Sequence, residues 1–367
     1  MHTFVVYPAR SAANPWRKHG ETAGSLDWHS GVTDIQDRSV VDVHAHLLPR
    51  SAIAAAEKGA DWFGSRIETD ALGRPEIVTG DYRVSMGGPA HWASIEERLA
   101  RMDDAGVNRQ VISLNPILFR YYLDPGDAIE CSKAVNDEIA GIVADHPDRF
   151  AGFGTLPMQD PTVAVEELER LMSTAGMVGV SVGTHVGGLN WDEPDLFPVL
   201  EAAEQSNALV FVHPAASRLK EALPRYHMRN YIANPTETTI AIGSLIFGGI
   251  LDRLPGLRLL FAHGGGYACW AFARFDHGHQ VRPEAREHIA RLPSDYLGSL
   301  WYDSLVHGYG NLRRLIDVVG LDRVVLGTDF PADMGQPDPV AWIEGSDLSD
   351  AEKGAILGSN AEVMLGW

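Results

Sequence analysis

At 367 residues the chain is too long for one small domain and suits one large α/β domain or two ordinary ones. Its 30 basic and 49 acidic residues give a formal charge of −19, which excludes nucleic acid and anionic membrane surfaces as partners, since both demand a basic footprint. A few buried arginines can still set a local field for a small anionic substrate. The apolar fraction, 45%, is enough for a sizeable core. Cys131 and Cys269 are the only cysteines and stand far apart, in no metal-binding pattern, which argues against a disulfide framework and fits a reducing cytoplasm. The first twenty residues contain no long apolar stretch of the secretory type. No apolar run reaches the ~18–20 residues that cross a bilayer. The expectation is a soluble, cytoplasmic protein.

Residues 1–38 mix Pro, Gly, Ser and charge without periodicity and read as an N-terminal extension. From 39 to 367 strand-like and helix-like runs alternate, as in one catalytic domain. The strands are expected at 40–44, 109–114, 150–156, 179–183, 208–213, 257–263, 299–304 and 323–329. Helical spacing of apolar residues marks 92–106, 128–144, 161–175, 194–206, 237–254, 267–276 and 311–319. Residues 50–90 read as a long irregular insert. The strands are short and apolar without polar alternation, so both faces are buried and the sheet is parallel. Eight such units predict a (β/α)₈ TIM barrel of the metal-dependent hydrolase type, with loop insertions. An open doubly wound sheet is the alternative, but no GxGxxG follows the first strand.

Active sites of such barrels lie at the C-terminal ends of the strands. Those positions hold His44 and His46, His185, His213, His263, Asp303 and Asp329. In VDVHAH, residues i and i+2 of a strand point to one side, so His44 and His46 can aim at one point. Three imidazoles and a carboxylate suit one divalent ion, Zn²⁺ before all, with Mn²⁺ as an alternative. Such an ion lowers the pKa of a bound water towards neutrality. His263, followed by three glycines, fits either a ligand or a base acting on that water; spacing alone leaves both open.

VDVHAH, GTLPMQDP, GTHV, FVHP, PTETTIAI, FAHGGG, LVH and VVLGTDFP, in this order and spacing, strongly resemble the 2-amino-3-carboxymuconate-6-semialdehyde decarboxylase family of the amidohydrolase superfamily. The resemblance covers about residues 39–340. It implies a mononuclear metal site on His44, His46, His213 and Asp329, with His263 as the catalytic acid/base. It implies that Arg83 clamps a substrate carboxylate and that Arg274 is lent to the neighbouring site of a homodimer. Arginine's planar fork suits both tasks. The fourth-strand region GVSVGTHVGG has no lysine that could be carbamylated to bridge two metals, which also favours a single ion. Asp303 is expected beside the ligands rather than among them, and His185 as a structural strand-end residue.

The sequence departs from the family in the pocket wall. Tyr226 and Asn230 stand where pocket tryptophans are expected, and Phe330 replaces a frequent Tyr. The implied activity is nonoxidative decarboxylation of a carboxylated aromatic or muconate-like acid, using metal-bound water or hydroxide and His263, with Asp329 an alternative proton donor to an aromatic ring. A hydrolase or hydratase acting on a related unsaturated acid needs nearly the same residues. A metal scaffold without turnover would not need His263.

Overall fold

The computed structural model describes residues 39–70, 75–79, 82–85, 91 and 93–367; the extension expected over 1–38 lies outside them. The first strand, β1 (Val41–Leu47), is buried throughout and runs three residues past its expected end at His44. The insert expected to be irregular instead contains a helix, α1 (Arg50–Lys58), and three antiparallel strands. These are β2 (Arg66–Thr69), β3 (Pro75–Thr79) and β4 (Tyr82–Ser85). The strand pattern was weak because, among the described side chains of these three strands, only Ile77 and Val78 are buried.

The expected alternation follows. The helix α2 (Ile95–Asp104) opens on a reciprocal cap in which Ser94 and Glu97 each accept the other's backbone N–H. Then come β5 (Arg109–Leu114), α3 (Pro125–Asp145), β6 (Phe150–Gly154), α4 (Pro161–Met172), β7 (Met177–Gly183), α5 (Phe197–Gln205) and β8 (Leu209–His213). Asp124 and Asp160 cap α3 and α4, with proline in each first turn. The single helix expected over 237–254 is two, α6 (Asn234–Phe247) and α7 (Ile250–Arg253), divided where Gly249 takes φ 68°. The chain continues through β9 (Arg258–Phe261), α8 (Ala268–Val281), β10 (Trp301–Asp303), α9 (Tyr309–Val319) and β11 (Val324–Val325). Three short helices that periodicity did not mark, α10 (Pro339–Glu344), α11 (Asp350–Gly354) and α12 (Asn360–Leu365), end it.

Among the described residues, eight parallel strands form one sheet in the order β1-β5-β6-β7-β8-β9-β10-β11. The N–H groups of Val43, Asp329 and His46 donate to the carbonyls of Leu326 (2.9 Å), His44 (2.8 Å) and Phe330 (2.7 Å), joining the last strand segment to the first. The fold is the expected (β/α)₈ barrel. Val41, Val43, Val111, Phe153, Phe211 and Leu260 fill its interior, where Ala361 and Met364 of α12 join them. No helix among the described residues is long and apolar enough to cross a membrane.

One irregularity matters for the site. Asp42 lies opposite Gln110 but Ala45 lies opposite Ile112, so β1 carries one extra residue there. Strict alternation would put His44 and His46 on the face opposite Val41 and Val43. The bulge reverses the parity. Val43 packs in the interior cluster with Phe211, and the His44 ring also lies against Phe211, 4.9 Å between centroids.

The loop after β8 is tied to α6 by Glu237, which is buried. Its carboxylate accepts the backbone N–H of Arg218 (2.7 Å) and both Nε (3.0 Å) and Nη2 (2.6 Å) of the Arg218 guanidinium. Burial raises the Glu237 pKa, but the bonds and charge of Arg218 outweigh it and hold it below the usual carboxylate value. Glu237→Gln is expected to cost about 2 kcal/mol at pH 7. Because the folded pKa is depressed, the pair's contribution is fully present above the unfolded value of about 4.3 and is lost as pH falls through the folded value. Urea melts should show the deficit at pH 7 and its closure in acid. A deficit that does not change with pH would assign it to packing instead.

Candidate metal centre and active site

Three strand ends deliver the four donors. His44 and His46 come from β1, His213 ends β8, and Asp329 follows β11; one ligand atom from each lies within 4.8 Å of every other. Among the described residues no other such group of His, Cys, Asp or Glu occurs. All four are buried.

Hydrogen bonds fix which nitrogen of each ring faces the centre. His44 Nδ1 meets Asp303 Oδ2 at 2.5 Å. His46 Nδ1 meets Ser113 Oγ at 2.8 Å, and that hydroxyl in turn donates to the Ala45 carbonyl at 3.3 Å. His213 Nδ1 donates to the Pro214 carbonyl at 2.7 Å. The three Nε2 atoms are therefore left to converge. His44 Nε2 is 3.0 Å from His46 Nε2, and these two lie 3.3 and 3.0 Å from Asp329 Oδ1. His213 Nε2 is buried and hydrogen-bonds to no protein group; it lies 3.9 Å from Asp329 Oδ1.

The electrostatics agree. Burial opposes charge on His44, but the carboxylates of Asp329 and Asp303 outweigh it and push the ring up to about 10. Burial, with the charge on His44, pushes His46 down to about 4. Burial and the surrounding histidines push His213 well below its usual range. Burial works against the Asp329 carboxylate, but His44 and the hydrogen bonds from His263, His44 and His46 hold it well below the usual range. Converging ring nitrogens, one of them buried without a protein partner, and two carboxylates that favour positive charge here fit a divalent cation on this donor set. Among the described residues the chain carries a single metal site built of histidine and aspartate.

Asp303 also accepts the backbone N–H groups of His263 (2.9 Å) and Gly264 (2.8 Å), so it orients His44 and anchors the turn carrying His263. That turn is left-handed at His263 (φ 56°), as is the backbone at Asp329 (φ 58°) and His307 (φ 53°). Non-glycine residues in this region cost energy and collect at functional sites. Gly266 answers a different need: at φ 66°, a Cβ there would sit 2.2 Å from the Pro235 carbonyl oxygen of α6. His263 Nε2 lies 3.4 Å from Asp329 Oδ2, on the carboxylate oxygen turned away from the other histidines.

A cavity of about 330 Å³ opens on His263 and Asp329, walled by Tyr231, Asn234, Tyr267, Trp270, His307 and Arg314. Asn230 lines it too, but Arg83, Arg274, Tyr226 and Phe330 are not among its lining residues. Arg83 is exposed on β4, with Nη1 2.9 Å from Glu68 and 3.5 Å from Glu76. Arg274 is exposed on α8. Tyr226 is 82% exposed. The Phe330 ring packs under the Arg98 guanidinium at 4.7 Å and borders a different cavity. His185 bonds the Ala216 carbonyl and the Gly188 N–H, apart from the donor cluster. Sequence reasoning did not single out Arg314, Asn311 or Trp270, which lie on α8 and α9. For His307 the signal was LVH, four residues past Asp303.

The amidohydrolase family model matches residues 41–367. The chain belongs to the amidohydrolase family. Among curated amidohydrolase relatives, the 2-amino-3-carboxymuconate-6-semialdehyde decarboxylase of Dictyostelium discoideum is 34% identical over 331 residues, 89% of this chain and 91% of the relative. The γ-resorcylate decarboxylase of a Polaromonas species is 29% identical over 288 residues, 74% of this chain and 86% of the relative. Among solved structures, the 5-carboxyvanillate decarboxylase of Sphingomonas paucimobilis superposes with a TM-score of 0.76 at 25% identity, covering 90% of this chain and 99% of that one. These three relatives are all named decarboxylases.

Proposed function

We propose that this protein is a cytoplasmic, metal-dependent, nonoxidative decarboxylase of a carboxylated aromatic or muconate-like acid. The observation that carries this is His263: it stands outside the four-donor shell, 3.4 Å from Asp329, and lines the cavity that opens on the centre. Relatives covering most of the chain are named decarboxylases. Three imidazoles and one carboxylate suit Zn²⁺, with Mn²⁺ the alternative that metal analysis distinguishes.

His44, His46, His213 and Asp329 would hold the ion. When bound, it supplies Lewis acidity that polarises a coordinated substrate oxygen and stabilises developing negative charge. The bond to the departing carboxylate breaks, CO₂ leaves, and the electron pair remains on carbon. His263 Nε2 delivers the proton that quenches it, and Asp329 Oδ2 orients that ring. On an aromatic substrate Asp329 itself is an alternative donor. No redox cofactor enters the balance.

Arg83 is proposed as the clamp for a substrate carboxylate. Its ion pairs with Glu68 and Glu76 are exposed, so exchanging them for a substrate costs little. Arg274 would serve the neighbouring site of a homodimer from exposed α8. Tyr226 and Phe330 are proposed as parts of the substrate-binding wall. Metal-loaded protein incubated with γ-resorcylate, 5-carboxyvanillate and 2-amino-3-carboxymuconate-6-semialdehyde is expected to release CO₂ from at least one. A product heavier by one water, without CO₂, would replace this reading with a hydratase or hydrolase.

A further inference from the structure

The bulge that turns His44 and His46 toward the barrel axis is held from outside the barrel wall. Asp42, fully buried, lies on the outward side of β1. Its Oδ1 accepts the N–H of His44 (3.1 Å) and of Thr328 (3.1 Å). Its Oδ2 accepts the Thr328 hydroxyl (2.7 Å) and Gln110 Nε2 (2.9 Å). Gln110 Oε1 accepts Arg98 Nη1 at 2.9 Å. Arg98 Nη2 donates to the His46 carbonyl, while its guanidinium covers Phe330. Thr328 Oγ1 also accepts the Phe330 N–H at 3.1 Å.

The network thus grips the backbone at 44, 46, 328 and 330, on or beside three of the four metal donors. None of its own side chains belongs to the donor cluster. Asp42 supplies the acceptor for the His44 N–H within the stretch where the ladder to β5 is interrupted. Arg98 is buried, yet it meets an amide oxygen, a carbonyl and an aromatic ring, with no ion pair among the described residues. A buried guanidinium is costly to desolvate, so its placement on the His46 carbonyl calls for a role beyond a generic ion pair.

We infer that Asp42, Gln110, Arg98 and Thr328 form a positioning clamp that fixes the β1 bulge and the Asp329 turn, and thereby sets the geometry and affinity of the metal site. The clamp rests on the metal site and is independent of which reaction the site performs. Outer partners of this kind commonly change metal affinity by about 10–100-fold.

The test uses the full-length protein stripped of metal and titrated with Co²⁺ against a competing chelator, with the visible Co²⁺ spectrum and the melting temperature of the metal-free protein read alongside. Thr328→Val, which removes the hydroxyl and keeps the shape, and Arg98→Met, which keeps cover over Phe330, are each expected to weaken Co²⁺ binding about 10–100-fold and to alter the spectrum. Thr328→Ser should restore both. Variants that melt lower without metal but keep the parent's Co²⁺ affinity within about twofold, and its spectrum, would reduce the clamp to ordinary packing and overturn the inference. If Arg98→Met does not fold, the Val and Ser variants at 328 decide by the same readouts.

Discussion

Asp329→Ala is expected to leave a folded barrel that no longer retains a stoichiometric divalent ion and no longer turns over. Asp329 is the only anionic member of the donor set, and its Oδ1 lies within 3.3 Å of the Nε2 atoms of both His44 and His46. Without it, three imidazoles face one another with no local charge to balance a dication, and affinity should fall by at least about 100-fold. The fold should survive, because the strand junction uses the Asp329 backbone N–H to the His44 carbonyl, which alanine keeps. Elemental analysis after dialysis measures the first effect and circular dichroism melting the second. His44→Ala should lose metal likewise. Undiminished metal in either variant removes that residue from the ligand set.

The second large effect is expected at His263. Its Nε2 sits 3.4 Å from Asp329 Oδ2, and its ring reaches the cavity, while the four-donor cluster is complete without it. His263→Ala should therefore retain about one ion per chain and lose about 10²–10⁴-fold in kcat, the usual scale for a general acid or base. Metal analysis and steady-state rates on one preparation separate the two roles left open by spacing. Loss of metal together with activity would make His263 a ligand. Activity within about tenfold of the parent would remove it from proton transfer.

Much of this architecture was legible because the signals are local. Strands buried on both faces read as short apolar runs, and helices showed in the spacing of their apolar residues; the caps at Ser94 and Asp124, which start α2 at Ile95 and α3 at Pro125 rather than at 92 and 128, are visible only in the structure. Where local signals are weak, expectation and structure part. The small sheet carrying Arg83 buries few residues, and three short C-terminal helices offer too few turns for a period to show.

For the site, the sequence by itself determined the donor types and their places at strand ends, because metal chemistry restricts residue type and the barrel restricts position. It also carried the family resemblance that the comparisons establish. Tertiary structure alone decided how the donors converge. Strand periodicity taken from the sequence puts His44 and His46 opposite Val41 and Val43; the bulge brings both sets inward. Its stabilising acceptors and donors come from Gln110, 68 residues from Asp42, and from Thr328, 286 residues away. Asp303 selects the His44 tautomer from a distance of 259 residues. Tertiary structure also separated Asp329 from Phe330, adjacent in sequence, into different cavities, and brought Arg314 and His307 to the one beside His263. Periodicity is a property of neighbours along the chain, whereas ladder register and hydrogen-bond partners are properties of segments that meet only once the barrel closes.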